Sequence, residues 1–167
     1  MSIVQIQPAQ THNLPHIMQL WREFSLFLMH QDASRDPSGE TVFASIEIAE
    51  PEYTAFVKAN LQSPEWGVML ATCDDKPVGY AMCHIQTYPV YFQSLQYGFI
   101  EDLIVTERHR GTGVGKALFQ AITAWLRERE ITRIELSVMR HNHEALSFWQ
   151  HMGFNRLYTV LQRQIDN

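Results

Sequence analysis

The apolar positions of this chain change period along its length, and each change predicts an element. The opening run "IVQIQPA" partly alternates, with Val4 and Ile6 set against Ile3, Gln5 and Gln7, which predicts a strand. A helical spacing follows. Leu14, Ile17, Met18, Trp21, Phe24 and Leu28 share one face, and Asn13 stands where a cap belongs. The stretch "QDASRDPSGET" breaks that pattern, with Pro37 and Gly39 marking a polar loop. A second helix is expected after Pro51, carrying Tyr53, Phe56, Val57 and Leu61.

From Trp66 the period shortens. "WGVMLATC" and "VGYAMCHIQ" are apolar runs joined by "DDKP", the signature of an antiparallel hairpin. The aromatic loop "TYPVYFQS" leads into another strand, "LQYGFIEDLIV". Val114, Ala117, Leu118, Ala121, Trp125 and Leu126 then restore helical spacing. "RIELSV" reads as a strand, "NHEALSFWQHM" as a short helix closed by Gly153, and "RLYTVLQRQI" as a final strand. Strands before and after helices, with one central crossover, predict a mixed α/β (α+β) sheet. The length of 167 residues suits one domain spanning 1–167.

Composition narrows the function classes. A net charge of -5 argues against nonspecific nucleic-acid binding. No apolar run approaches the ~20 residues a membrane helix needs, so no membrane partner is expected. The start "MSIVQIQPAQ" lacks the basic and apolar regions of a signal peptide, and the expectation is a soluble cytoplasmic protein. Cys73 and Cys83 each lie in apolar stretches and read as buried thiols. His141, His143 and His151 crowd together without the spacing of a zinc site, so no metal is expected. His84, within an alternating strand, reads as a hydrogen-bonded sheet residue and not as a base.

The chemistry concentrates in "IEDLIVTERHRGTGVGKALF". Gly111, Gly113 and Gly115 alternate between a strand and a helix start. Glycines there leave successive N–H groups bare, and those groups converge with the helix dipole into an anion site. Two common phosphate loops fail on particular residues. A Walker A loop needs glycine where Arg110 stands and Ser or Thr where Ala117 stands. A dinucleotide fingerprint needs its third glycine where Lys116 stands, in a loop directly after the strand. What remains is R-x-x-G-x-G, made by Arg110, Gly113 and Gly115.

With that pattern between "IEDLIV" and an amphipathic helix, the chain resembles the GNAT superfamily of acetyl-CoA-dependent N-acetyltransferases, nearest to its diamine acetyltransferase-like members. "SVMRHNHEALSFWQHMGF" is similar to the family's second signature. The resemblance covers most of the chain and is strongest from Ile100 to Phe154. It implies a mostly antiparallel central sheet with a splayed central strand pair and helices on both faces. It implies acetyl-CoA as co-substrate, a small cationic amine as acceptor, direct attack in a ternary complex, and, by analogy, a homodimer. Two alternatives stay open: a non-catalytic acyl-CoA-binding module, and an enzyme acting on protein or peptide amino groups.

Residue by residue, the resemblance assigns the diphosphate to Gly111, Thr112, Gly113, Val114, Gly115 and Lys116, with Arg110 bracing the turn. It assigns the pantetheine arm and the oxyanion to the backbone of Leu103, Ile104 and Val105. Asn142 both caps a helix and meets pantetheine, while Ala145 and Phe148 wall the groove. A primary amine of pKa ~10.4 is almost wholly protonated at neutral pH, so a base in the site gains orders of magnitude. "ED" offers Glu101 and Asp102, which a regular strand would point to opposite faces. By the resemblance, Glu101 is the base. Trp149 stands where many relatives carry the tyrosine that protonates the leaving thiolate, and an indole N–H cannot take that role. Tyr158 is the replacement candidate.

Overall fold

The computed structural model describes residues 4–35, 45–91 and 96–161. These fall into two compact units, Met1–Ser137 and Val138–Asn167. The larger unit is built on a five-stranded sheet, β1 (Val4–Pro8), β2 (Trp66–Cys73), β3 (Lys76–Thr87), β4 (Gln96–Val105) and β5 (Ile134–Leu136), ordered in space as in sequence. Neighbours run antiparallel except β4 and β5, which are parallel. A parallel pair needs a crossover, and α3 (Val114–Arg127) supplies it. The expected mixed, mostly antiparallel sheet is thus the observed one.

Helices cover both faces. α1 (Leu14–Arg35) and α2 (Ile46–Asn60) bring Ile17, Met18, Leu20 and Val57 against Val68, Leu70, Tyr80, Met82 and Ile104. These side chains recur every second residue along the strands, as one face of a pleated sheet must. α3 lies on the opposite face, where Gly67 leaves room for a ring. A Cβ at Gly67 would come within 2.6 Å of Trp125. Cys73 and Cys83 are buried free thiols, as expected, and burial pushes the Cys83 thiol up to about 12. The β2–β3 turn has Asp74 and Asp75 both at positive φ, 49° and 61°, the geometry of a two-residue hairpin loop.

Several expectations need correction. Asn13 does not cap α1. Its Oδ1 accepts the Gln10 N–H at 2.9 Å, closing the short turn Thr11–Asn13 upstream. α1 runs on through Arg35, into the expected polar loop, because the breakers Pro37 and Gly39 come later; residues 36–44 lie outside the described ones. α2 begins before Pro51, at Ile46, with the Ile48 and Ala49 N–H groups taken by Ser45 O. Pro51 therefore sits past the first turn, where it removes its own ladder N–H and crowds the carbonyl of Glu47.

In the smaller unit, α4 (His143–His151) begins at Asn142, whose Oδ1 accepts the Ala145 N–H at 3.0 Å, as a cap should. It ends with Phe154 N–H on Trp149 O and Gly153 N–H on Gln150 O, the paired bonds of a Schellman stop. The expected final strand is not formed in 155–161, and its remainder lies outside the described residues. Leu157, Tyr158, Val160 and Leu161 are exposed there. Tyr158 and Val160 are strand-forming types, but a strand exists only where a partner completes its hydrogen bonds.

Candidate active site

The site is organised by an irregularity in β4. Met82 pairs with Asp102 while the next residue, Cys83, pairs with Ile100, so Glu101 is one residue extra. Such a bulge locally disrupts the alternation of side chains. Glu101 and Asp102 consequently share the face covered by α1 and α2, and do not diverge as on a regular strand. Glu101 Oε2 lies 3.8 Å from His84 Nδ1. Asp102 accepts hydrogen bonds from Tyr53 of α2 and, at 3.1 Å, from Tyr80 of β3.

The two carboxylates differ in environment. Asp102 is enclosed. Burial pushes its carboxyl up, and the two tyrosine donors pull it part of the way back. Burial and the Asp102 charge push both tyrosine hydroxyls well up, so they stay protonated and can donate to it. Glu101 keeps 39% of its side chain exposed. Partial burial and then the neighbouring Asp102 raise its carboxyl. The result is a reachable carboxylate with enhanced proton affinity, backed by a fixed one. That is a suitable acceptor for an ammonium proton.

Aromatic rings flank this pair. Trp21 stacks on Tyr53 with centroids 4.7 Å apart, and Phe56 stands edge-on to Trp66 at 5.1 Å. Trp66 stacks on His84 at 4.3 Å, and Phe99 lies 5.7 Å from the same imidazole. Desolvation lowers the His84 pKa, so the ring stays neutral. A negative group ringed by aromatic faces favours a cation with an apolar stem.

At the other edge of β4, pairing with β5 ends at Ile100 and Leu136. The Thr106 N–H donates to Val78 O at 2.9 Å, across to β3. By the strand's period of two, the Ile104 N–H also turns to β3, and those of Leu103 and Val105 turn to the opposite edge. No strand among the described residues occupies that edge beyond Leu136. The Ile104 side chain belongs to the core cluster.

The glycine turn follows after the short helical turn Glu107–His109. Gly111 and Gly113 have φ of 72° and 95°, and Gly113 is the residue before α3. The first ladder bond of α3 runs from Ala117 N–H to Gly113 O, so the N–H groups of Val114, Gly115 and Lys116 precede the ladder. Arg110 turns away from them, its Nε on Val105 O at 3.3 Å and its guanidinium 4.5 Å over the Phe27 ring. Thr112 Oγ1 bonds His109 O at 2.6 Å. Side chains therefore hold the turn's shape and leave the N–H groups before the ladder for an anion, an arrangement suited to phosphate oxygens.

In the smaller unit, Asn142 caps α4, with Ala145 and Phe148 half-buried on that helix. Trp149 is buried, edge-on to Phe148 and Phe154. Tyr158 is 66% exposed. Among the described residues, no group of three or more His, Cys, Asp or Glu could hold a metal ion, and no helix is long and apolar enough to cross a membrane.

Sequence reasoning missed the parts of the carboxylate site that come from elsewhere. Tyr53 and Tyr80 read as core residues because a hydroxyl does not alter periodicity. Glu135 also escaped notice. It is buried on β5 beside Phe99, so it shares the face that carries Glu101.

The acetyltransferase (GNAT) family model matches residues 21–154. A spermine/spermidine N(1)-acetyltransferase of Bacillus subtilis (strain 168) is 31% identical over 80 residues, covering 46% of this chain and 51% of that protein. An uncharacterised N-acetyltransferase of Archaeoglobus fulgidus is 31% identical over 90 residues, covering 54% and 60%. The chain thus spans about half the length of these curated relatives. Among solved structures, the aminoglycoside N-acetyltransferase AAC(6')-Iy in complex with CoA superposes with a TM-score of 0.76 at 19% identity, covering 99% of this chain and 96% of that one. A Bacillus halodurans protein superposes with a TM-score of 0.76 at 20% identity, covering 96% and 99%.

Proposed function

The chain belongs to the acetyltransferase (GNAT) family, and from that premise we propose that it transfers the acetyl group of acetyl-CoA to a primary amine of a small cationic molecule. The observation that carries the reading is the bulge at Glu101, which turns two carboxylates toward the face opposite α3 on the strand that precedes the glycine turn. CoA supplies the acetyl group as a thioester. The N–H groups of Gly111, Thr112, Gly113, Val114, Gly115 and Lys116 hold its diphosphate, and Arg110 keeps the turn in shape. The outward N–H groups of Leu103 and Val105 hydrogen-bond the pantetheine arm, and the Leu103 N–H stabilises the oxyanion of the attacked carbonyl.

Glu101 binds the ammonium form of the acceptor and takes its proton, leaving the nitrogen lone pair free to attack. Its raised proton affinity suits that step, because transfer is most effective when the base titrates near the working pH. Asp102 stays fixed by Tyr53 and Tyr80 and adds negative potential at the amine. Asn142, Ala145 and Phe148 keep the cofactor roles that the family resemblance gives them. Tyr158 is the proposed proton donor to the thiolate. A thiol of ordinary pKa, ~8.5, also leaves without a dedicated acid at modest cost.

A small cationic acceptor is supported by the aromatic-flanked carboxylates and by a relative named for spermine and spermidine. Calorimetry with CoA, followed by free-thiol release from acetyl-CoA over polyamines, amino acids, aminoglycosides and peptides, tests the proposal. Saturable CoA uptake and turnover with small amines are expected. Folded protein that takes up no CoA would sink it. Trp149, buried and without a titratable proton, favours a second reading as a non-catalytic CoA-binding module. Slow turnover unchanged by Glu101→Gln would decide for that one.

A further inference from the structure

We infer that His84 is a positioning residue for Glu101, its imidazole locked as the Nδ1–H tautomer so that this hydrogen faces the carboxylate. The inference rests on the reading of Glu101 as the base, but the lock itself is read from three side chains on one sheet face. Tyr97 donates its hydroxyl hydrogen to Gln86 Oε1. The other end, Gln86 Nε2, lies 2.5 Å from His84 Nε2. A carboxamide nitrogen only donates, so His84 Nε2 accepts. A neutral imidazole that accepts at one nitrogen carries its hydrogen on the other.

His84 Nδ1 is buried with no hydrogen-bond partner among the described residues, and Glu101 Oε2 stands 3.8 Å from it. That distance exceeds a hydrogen bond. A small rotation of the half-exposed glutamate closes it, and an ionised carboxylate is drawn to make that rotation. The imidazole cannot turn away, because Trp66 stacks on it and Phe99 packs beside it. Protonating the ring would set an Nε2 hydrogen against the Gln86 amide hydrogens, which keeps His84 neutral and a donor.

Other groups facing Glu101 act differently. Asp102 on the same strand adds like charge, and Tyr80 of β3 and Tyr53 of α2 spend their hydroxyls on Asp102. Glu135 of β5, on the same sheet face, adds no positive charge. His84 is therefore the donor positioned to hold one carboxylate oxygen while the other meets the amine.

The test is a pH titration of the Glu101 carboxyl ¹³C resonance in the wild type, His84→Phe and His84→Asn, with ¹⁵N spectra of the His84 ring. Asn presents an N–H near the Nδ1 position, whereas Phe keeps the ring and removes the donor. In His84→Phe the Glu101 midpoint should rise by about one pH unit, the scale of a hydrogen bond to a charged group, and in His84→Asn it should return toward wild type. The wild-type ring should show a protonated Nδ1, and Gln86→Leu should mix the tautomers. Equal midpoints in all three proteins, or a ring protonated at Nε2, overturns the inference. Should His84→Phe fail to fold, the ring spectrum and Gln86→Leu still decide. Activity separates the underlying reading. If Glu101→Gln leaves the acidic limb of kcat/KM in place, Glu101 is not the base, whatever the carboxyl titration shows.

Discussion

The glycine turn before α3 and the carboxylate pair on β4 are close in sequence and built by opposite means. The turn is local. Its shape follows from positive φ at Gly111 and Gly113, and Arg110 and Thr112 tie it to backbone oxygens within a few residues. The carboxylate pair is assembled from distant parts, a bulge in β4, a tyrosine from α2, and a tyrosine and a histidine from β3. A site built locally tolerates changes elsewhere in the fold. One assembled from several elements couples its proton affinity to the packing of all of them.

The sharpest way to break this division is Glu101→Gln. A lost general base should lower kcat/KM by ~10²–10⁴-fold, and CoA binding by calorimetry should stay unchanged. If CoA binding falls as well, the two regions are not separate. Tyr53→Phe tests the assembled region in a different quantity. It leaves Asp102 short of one donor, and urea unfolding should show a loss of ~1–3 kcal/mol. Gly113→Val is the reciprocal test of the local region. A Cβ at Gly113 would meet nothing within 4 Å, so its effect comes from the backbone at φ 95°. A left-handed residue with a side chain costs ~1–2 kcal/mol, which should weaken CoA binding by about tenfold and leave the acidic limb unmoved.

Stability against pH sharpens the picture further. The Asp102 carboxyl is raised in the folded protein above its usual 3.8. The folded state thus binds its proton more tightly than the unfolded chain does. This contribution is full below pH ~3.8 and is lost as pH rises through the folded pKa. Asp102→Asn should therefore lose less Tm than wild type on going from acid to neutral pH. The smallest effect is expected of Tyr158→Phe, a fall in kcat of less than about tenfold, since the thiolate leaves unaided at modest cost. A larger fall would make Tyr158 an essential acid.

Much of the fold was legible because burial imposes periodicity. The hairpin of β2 and β3, the amphipathic face of α3 and the capped start of α4 at Asn142 all came through. The failures share a cause. Pro51 suggested a helix start, but Ser45 and the ladder bonds before it decided otherwise. Asn13 carries a capping side chain, yet that oxygen went to Gln10. "RLYTVLQRQI" reads as a final strand, yet none forms in 155–161. In each case a residue type fitted two partners, and only the folded chain selected between them.

By itself the sequence determined the sheet-and-helix order, the glycine turn and the presence of two adjacent acids, because these follow from spacing and from φ that glycine alone adopts freely. Tertiary structure decided that both acids share one face, that Asp102 is held by two tyrosines, and that Glu101 stands within reach of a neutral histidine. Those outcomes depend on a one-residue slip between paired strands and on contacts far apart in the chain. No local pattern encodes either.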